Sequence, residues 1–431
     1  MPHNWKTYKL GEIADVQNGY AFKANELVGE GIPVIKIKNI ISPNVTIEDV
    51  SYFNGNLTTQ LEKYIAKQGD FLISMTGSTV NVMSSAVGKM GRYRLNDVSL
   101  INQRVGKIYV TVPDVVSFDY LCQYLNRYEI HYNLALNATG SANQANISPV
   151  QIKNIDILLP SLEEQQAIAS ILSDIDDKIE NNLAINKTLE EMAMALYKHW
   201  FVDFGPFQDG EFIESELGMI PEGWKVKKIG DIVTVIGGYA FKSKWFQETG
   251  IKVLKIKNIN NNIVDISKCD CISEVVSKTI NKKFNVTKGD YLVAMTGAEV
   301  GKVGVVPNYS QDLWLNQRVG KFNDKVIKNA SILIGKIMQT NDFYKIIQGL
   351  AYGSAQPNIS SSDIENINII LPNDNNVLDV LINDFVHLHD ITTENLTENL
   401  TLTQLRDTLL PKLISGEVQL KEFQEQLATI I

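Results

Sequence analysis

The segment WKTYKLGEIADV at residues 5–16 returns as WKVKKIGDIVTV at 224–235, and the likeness then continues in order. GYAFK at 19–23 recurs at 238–242, and GIPVIKIKNI at 31–40 matches GIKVLKIKNI at 250–259. GDFLISMTG at 69–77 pairs with GDYLVAMTG at 289–297, and VGKMG at 87–91 with VGKVG at 300–304. NQRVGK stands at both 102–107 and 316–321. GSANQANIS at 140–148 and NIDILLP at 154–160 return as GSAQPNIS at 353–360 and NINIILP at 366–372. The offset stays between 212 and 220, so the matches are collinear and a whole domain has been duplicated. Each copy, at about 150 residues, is large enough to hold its own core.

Within a copy the pattern is mostly strand-like. VIKIKNI alternates apolar and polar residues, and FLISM and YLVAM are short apolar runs after Gly-Asp turns. SFDYLCQYLNR and ASILIGKIMQTNDFYKIIQ have helical spacing. The expectation is an α+β fold with two β-rich globular domains in tandem. After each copy the texture changes. From Ser161 to about Trp200, and from about Asn373 to Leu413, glycine is absent and apolar residues recur at three and four. Ser161 and Glu164 form a capping box directly after Pro160. Domains are expected at 1–160 and 220–372, with helical segments at 161–219 and 373–431.

In heptad terms, Ile168, Ile175, Asn182, Leu189 and Leu196 fall at a, with Leu172, Ile179, Asn186, Ala193 and Trp200 at d. A shift of 213 puts Leu381, Leu388, Asn395, Leu402 and Leu409 at a, and Phe385, Thr392, Asn399, Arg406 and Leu413 at d. The two helices are expected to pack antiparallel with residue numbers summing to 581. Asn182 then faces Asn399, Asn186 faces Asn395, and this polar layer sets the register; the competing reading is that these asparagines are simply solvated. Pro411 is expected to end or kink the second helix. A helix of roughly 38 residues spans about 57 Å at 1.5 Å per residue, which suits a spacer.

The net charge of −9 divides unevenly. Residues 1–160 carry a net +1, 161–219 a net −10, 220–372 a net +7 and 373–431 a net −7. The acid lies in the helical segments, and the second globular copy is basic enough to attract phosphate. No apolar run reaches the roughly 18 residues of a membrane span, and the polar segment MPHNWKTYKLGEI lacks the apolar core expected of a signal peptide. Three cysteines without a framework point to a reducing cytosol, and Cys269 and Cys271 are too few to cage a metal.

Catalytic signatures are missing. TGAEVGKV at 296–303 has the wrong spacing for a phosphate loop, and no Gly-x-Ser-x-Gly or His-Glu-x-x-His segment occurs. His387 and His389 do not share a helix face, so with Asp390 they make no metal site. The repeated polar segments are better candidates for DNA contact. Lys36, Lys38 and Asn39, with Lys255, Lys257 and Asn258, sit at strand ends, where lysine meets phosphate and asparagine pairs with adenine. A solvated strand face is the competing reading. Thr76 and Thr296 offer a hydroxyl beside a glycine, or simply belong to a turn. Gln103 with Arg104, and Gln317 with Arg318, join an amide to a fork donor, suited to adenine and guanine edges. A structural hydrogen-bonding pair is the alternative. Ser141 and Gln144, with Ser354 and Gln356, belong to a small polar loop able to enter a groove or to act as an ordinary turn. Because these positions are shared, they suit phosphate positioning better than base choice. Discrimination is expected where the copies diverge, at 41–62 against 260–282 and 78–99 against 298–313.

LGEI at 10–13, IKIKNI at 35–40, GDFLISMTG at 69–77, NQRVGK at 102–107 and ILLPSLEEQQAIASIL at 157–172 together resemble the specificity (S) subunit of type I restriction-modification systems. The likeness covers essentially the whole chain. At the second helix start LPNDNNVLDVL replaces LPSLEEQQAIA, so the capping box is not repeated there. The resemblance implies two target-recognition domains, each reading half of a split double-stranded DNA target. The helices set the gap and dock two modification (methyltransferase) subunits. S-adenosylmethionine, ATP and magnesium belong to the modification and restriction subunits, so this chain is expected to be non-catalytic, without a cofactor, and cytoplasmic. A scaffold that does not bind nucleic acid predicts no coherent basic face. An enzyme with an unrecognised site predicts shared titratable residues in both copies.

Overall fold

The computed structural model describes residues 5–141, 144–260, 262–351, 357–418 and 420. The chain divides into two compact units, residues 1–177 with 403–431 and residues 178–402. Each unit joins one globular copy to parts of both long helices.

In the first unit a six-stranded sheet runs in the order Ala14–Asn18, Val105–Val110, Phe71–Ser74, Met90–Arg92, Asn44–Val45, Ile40–Ile41. A five-stranded sheet runs Leu27–Val28, Ser51–Phe53, Ile32–Ile35, Ser99–Ile101, Ile65–Ala66. The first strand, Lys6–Lys9, pairs antiparallel with the last, Asp156–Leu159, and closes the domain. The second unit repeats both orders strand for strand, and Trp224–Lys228 closes on Asn368–Pro372. The fold is α+β, and the duplication read from sequence is one of topology.

The shared residues explain much of this. Phe71–Ser74 is wholly buried and follows Gly69, whose φ of +94° favours glycine. Asp70 accepts from the Lys67 amide at 2.9 Å and pairs with Lys107 at 3.2 Å. Lys107 also donates to the Ile65 carbonyl at 2.8 Å. In the second unit Asp290 accepts from Thr287 at 2.8 Å, and Lys321 pairs with Asp290 at 3.4 Å and donates to Asn285 at 2.9 Å. The aspartate of GD and the lysine of NQRVGK are therefore one internal tie. Gly19 and Gly238 are required by contact, because a Cβ at either would lie 2.2 Å from a carbonyl oxygen of Asn102 or Asn316.

Three local expectations change. VIKIKNI is not one alternating strand. The strand ends at Ile35, and Ile37–Asn39 forms a 3-10 turn closed by the Asn39 side chain, which accepts from the Lys36 amide at 3.0 Å. The long run at 330–348 is two helices, Ala330–Met338 and Asn341–Ala351, divided at Thr340. Pro411 does not end the C-terminal helix, which spans Asn375–Ser415. Proline removes one donor, and buried Leu409, Leu413 and Ile414 in the core of the first unit hold the last turns. Gly416 at φ +70° then ends the helix, its amide reaching the Leu413 carbonyl at 3.3 Å.

The central helix spans Leu162–Tyr197. Ser161 Oγ accepts from the Glu164 amide at 3.2 Å, half of the expected box. Gln165, fully buried, does more. It accepts from the Ser117 amide at 2.9 Å and donates to the carbonyls of Val115 and Pro160 at 3.0 Å each. The C-terminal helix has a different start, where Asp374 accepts from the Asn376 amide at 2.8 Å.

The helices run antiparallel. In the second unit Asn182 donates to Asn399 at 2.9 Å and Asn395 donates to Asn186 at 2.9 Å, both on pairs whose numbers sum to 581. Asn182 also donates to Glu398 at 2.7 Å. In the first unit Ile168, Leu172 and Ile175 are buried, as are Leu409 and Leu413. Arg406, at a d position, is accommodated by an ion pair with Asp176 at 3.0 Å. The C-terminal helix buries a further face in the second unit, with His389, Thr393 and Leu396 inward.

Candidate nucleic-acid interface

In the first unit the turn Asn102–Arg104 carries the chain from the five-stranded to the six-stranded sheet. The Tyr20 amide donates to the Ile101 carbonyl at 2.9 Å, and its carbonyl accepts from Gln103 at 2.8 Å. The turn is thus fixed from below, and Gln103 and Arg104 are left exposed above it. Arg104 reaches back to the Thr76 hydroxyl at 3.1 Å and to Asn146 Oδ1 at 3.4 Å. Thr76 in turn donates to Asn146 at 2.9 Å. Thr76–Gly77 pairs with Gln144–Asn146, which forms a hairpin with Thr139–Ser141. Ser141 faces Gln144 at the exposed end of that hairpin. Thr76, Arg104, Ser141 and Gln144 therefore belong to one constellation. Asn146 joins them and was not singled out in the sequence, although NIS occurs in both copies.

A cleft of about 320 Å³ lies beside this group, lined by Lys38, Thr76, Ser84, Ser85 and Lys89 among others. Lys89 was also missed. Burial pushes its ammonium below the ordinary lysine range, and it donates to the Ser84 carbonyl.

The second unit repeats the frame with different contacts. Gln317 donates its amide to Tyr239 at 2.9 Å, and Gln317 and Arg318 are again exposed. Thr296 donates instead to the Pro357 carbonyl at 3.1 Å, and Thr296 bridges Asn358. Arg318 makes no side-chain hydrogen bond or ion pair among the described residues. Ser354 and Gln356 lie outside the described residues.

The strand-end residues divide. Asn39 and Asn258 are buried, and both ends of each amide are engaged. Asn39 donates to the Glu48 carbonyl at 3.1 Å; Asn258 accepts from Lys255 at 2.9 Å and donates to Asp265 at 3.1 Å. That occupancy corrects the expectation of adenine contact, since neither amide can reach a base in this conformation. Lys36 donates to Ser51 at 2.7 Å and Lys38 pairs with Asp49. Lys255 and Lys257 share Asp270 at 2.7 and 2.9 Å, and together they hold its carboxyl below the usual range, Lys255 foremost. Exposed pairs of this kind contribute below about 1 kcal/mol, so phosphate can compete for these lysines.

His389 is buried and sits 3.2 Å from the Tyr291 hydroxyl. Among the described residues no group of three or more His, Cys, Asp or Glu side chains could hold a metal. No helix among them is long and apolar enough to cross a membrane.

Residues 2–191 and 221–404 each match the type I restriction modification DNA specificity domain. The chain belongs to that family. It is 26% identical to the MjaIX specificity subunit of Methanocaldococcus jannaschii, over 98% of this chain and 95% of that one. It is 25% identical to the HindI specificity subunit of Haemophilus influenzae, over 96% of this chain and 100% of the relative. The crystal structure of a type I S subunit from M. genitalium shares the fold, with a TM-score of 0.58 at 15% identity and coverage of 96% and 97%. The chain is a type I specificity subunit, the non-catalytic, sequence-recognising component of such enzymes.

Proposed function

We propose that each globular copy reads one half of a bipartite double-stranded DNA target. The observation that carries this reading is the repeated frame in which a tyrosine-braced Gln-Arg turn stands above a threonine-bearing strand. In the first unit Arg104, Ser141 and Gln144 form the DNA-facing group, with the buried Thr76 bracing Arg104 and with Gln103, Lys36 and Lys38 nearby in sequence or cleft. In the second the corresponding set is Gln317, Arg318, Lys255 and Lys257, with Thr296 buried beneath. Shared residues position the phosphates, and the divergent loops choose the bases.

The long helices set the gap between half-sites, with the asparagine layer holding their register. They also dock two modification subunits, one for each half of the pseudo-twofold repeat. Those subunits bring S-adenosylmethionine and adenine methylation. Restriction subunits bring ATP- and magnesium-dependent translocation and cleavage. The complex works in the cytoplasm.

The test is reconstitution with its modification partner, followed by genome-wide mapping of adenine methylation. A split motif with a fixed gap supports the reading. Methylation without any split motif overturns it.

A further inference from the structure

We infer that a cavity on the second unit receives a basic side chain, arginine or lysine, projecting from the modification subunit. The inference rests on the partner reading above and adds the contact that holds that partner. The cavity, about 810 Å³, lies between the central helix and the break that separates Ala330–Met338 from Asn341–Ala351. Its polar lining includes Glu190, Lys198, Lys302, Gln339 and Asp342.

The side-chain oxygen of Gln339 is buried there without a hydrogen-bond partner. At the equivalent position in the other copy, 213 residues earlier, the Asn126 oxygen is also buried without one. A buried acceptor left unpaired is destabilising, and native proteins carry few. Its recurrence at one point of a duplicated fold marks a place where a donor arrives. An acid stands three residues after it in both copies, Glu129 in the first and Asp342 in the second.

Charge selects the donor. Lys198 is matched by Asp203 at 2.7 Å, and Lys302 by Glu299. Glu190 accepts from the Asn262 amide and its charge acts on the buried Lys336 ammonium, while Asp342 makes no ion pair or hydrogen bond among the described residues. The cavity therefore holds one carboxylate, Asp342, without a cationic partner among the described residues, beside an acceptor lacking a donor. The field of Asp342 is felt by Tyr197, whose hydroxyl is pushed up to about 12 by burial and then by this neighbour. Met194, Val303 and Tyr344 supply apolar walls suited to the alkyl stem of a long basic side chain.

The test uses the full chain coexpressed with the modification subunit, with Asp342→Lys, the milder Asp342→Asn, and Gln339→Leu. Subunit stoichiometry and affinity are read by mass photometry across a concentration series, and folding by thermal melting. Asp342→Lys is expected to weaken one modification subunit at least tenfold, leaving a complex with a single such subunit. Asp342→Asn weakens it several-fold, and Asp342→Glu restores it. Gln339→Leu is expected to raise the melting temperature of the free chain while weakening assembly, a split that a purely structural glutamine would not give. Adding Glu129→Lys to Asp342→Lys removes the second subunit too. If the wild-type chain assembles and the folded variants assemble equally well, the inference is overturned and the partner reading stands. If the wild-type chain does not assemble at all, both fall.

Discussion

Arg104 and Arg318 hold the same place in two copies of one turn, yet their contacts differ. Arg104 is braced by Thr76 and Asn146 at 3.1 and 3.4 Å, whereas Arg318 makes no side-chain hydrogen bond or ion pair among the described residues. Replacing either with alanine is expected to weaken DNA binding by the assembled complex about tenfold and to lower the salt slope by about one. Fluorescence anisotropy titrations at several salt concentrations check this. An unchanged slope would remove the arginine from the phosphate set. Asn39→Ala and Asn258→Ala should behave differently. Each leaves buried backbone groups unpaired and is expected to cost about 1–3 kcal/mol in denaturant unfolding, with no loss of affinity in the folded fraction. The sequence placed lysine, asparagine, threonine and arginine in repeated motifs, but it could not separate inward from outward among them. Asn39 and Lys38 are adjacent, and one is buried while the other is exposed. That division depends on the 3-10 turn at Ile37–Asn39, which the alternating pattern concealed. Gln165 was hidden for a similar reason, since two of its three bonds run to a loop about fifty residues away in sequence.

Among the elements, the two long helices were the most legible, because their apolar spacing continues over five heptads in each copy. Their polar layer has a testable energetic signature. Asn182→Leu or Asn399→Leu alone strands an amide opposite an apolar side chain and is expected to destabilise the second unit by about 1–2 kcal/mol. Both together should recover or exceed wild-type stability, because an apolar pair replaces a desolvated polar one. A thermal double-mutant cycle measures this, and additive losses would speak against direct coupling. The C-terminal helix also carries a pH response. Burial, with the charges of Lys336 and Lys288, lowers the His389 imidazole to about 4 from its ordinary 6.5. The folded state keeps this ring neutral, while the unfolded chain binds its proton already near 6.5. Stability is therefore complete above about 6.5 and declines as pH falls towards 4. His389→Gln should flatten that acid limb in melting curves taken from pH 7 to pH 4. The heptad pattern gave no hint of this face, because His389 and Thr393 lie outside the a and d positions.

For the whole molecule, duplication was readable from the first repeated segment, and so was the separation of acidic helices from the basic second copy. The grouping of the chain into units was not, since it depends on which helix halves share a core. Exchanging residues 220–372 for the matching segment of another specificity subunit is expected to alter one half of the methylated motif and leave the other half and the gap intact. Methylome mapping after the exchange reads this directly, and a change in both halves would mean that the copies do not read independently. The first unit draws on both ends of the chain, while the second is contiguous from residue 178 to 402. Ribosomal synthesis delivers domains in sequence order. The domain translated first must therefore wait for Leu409, Leu413 and Ile414 before its apolar surface around Ile168 and Leu172 is covered. A nascent chain stopped before residue 403 should hold a finished second unit and an unfinished first one, and the codons for 403–415 complete the part that was begun earliest.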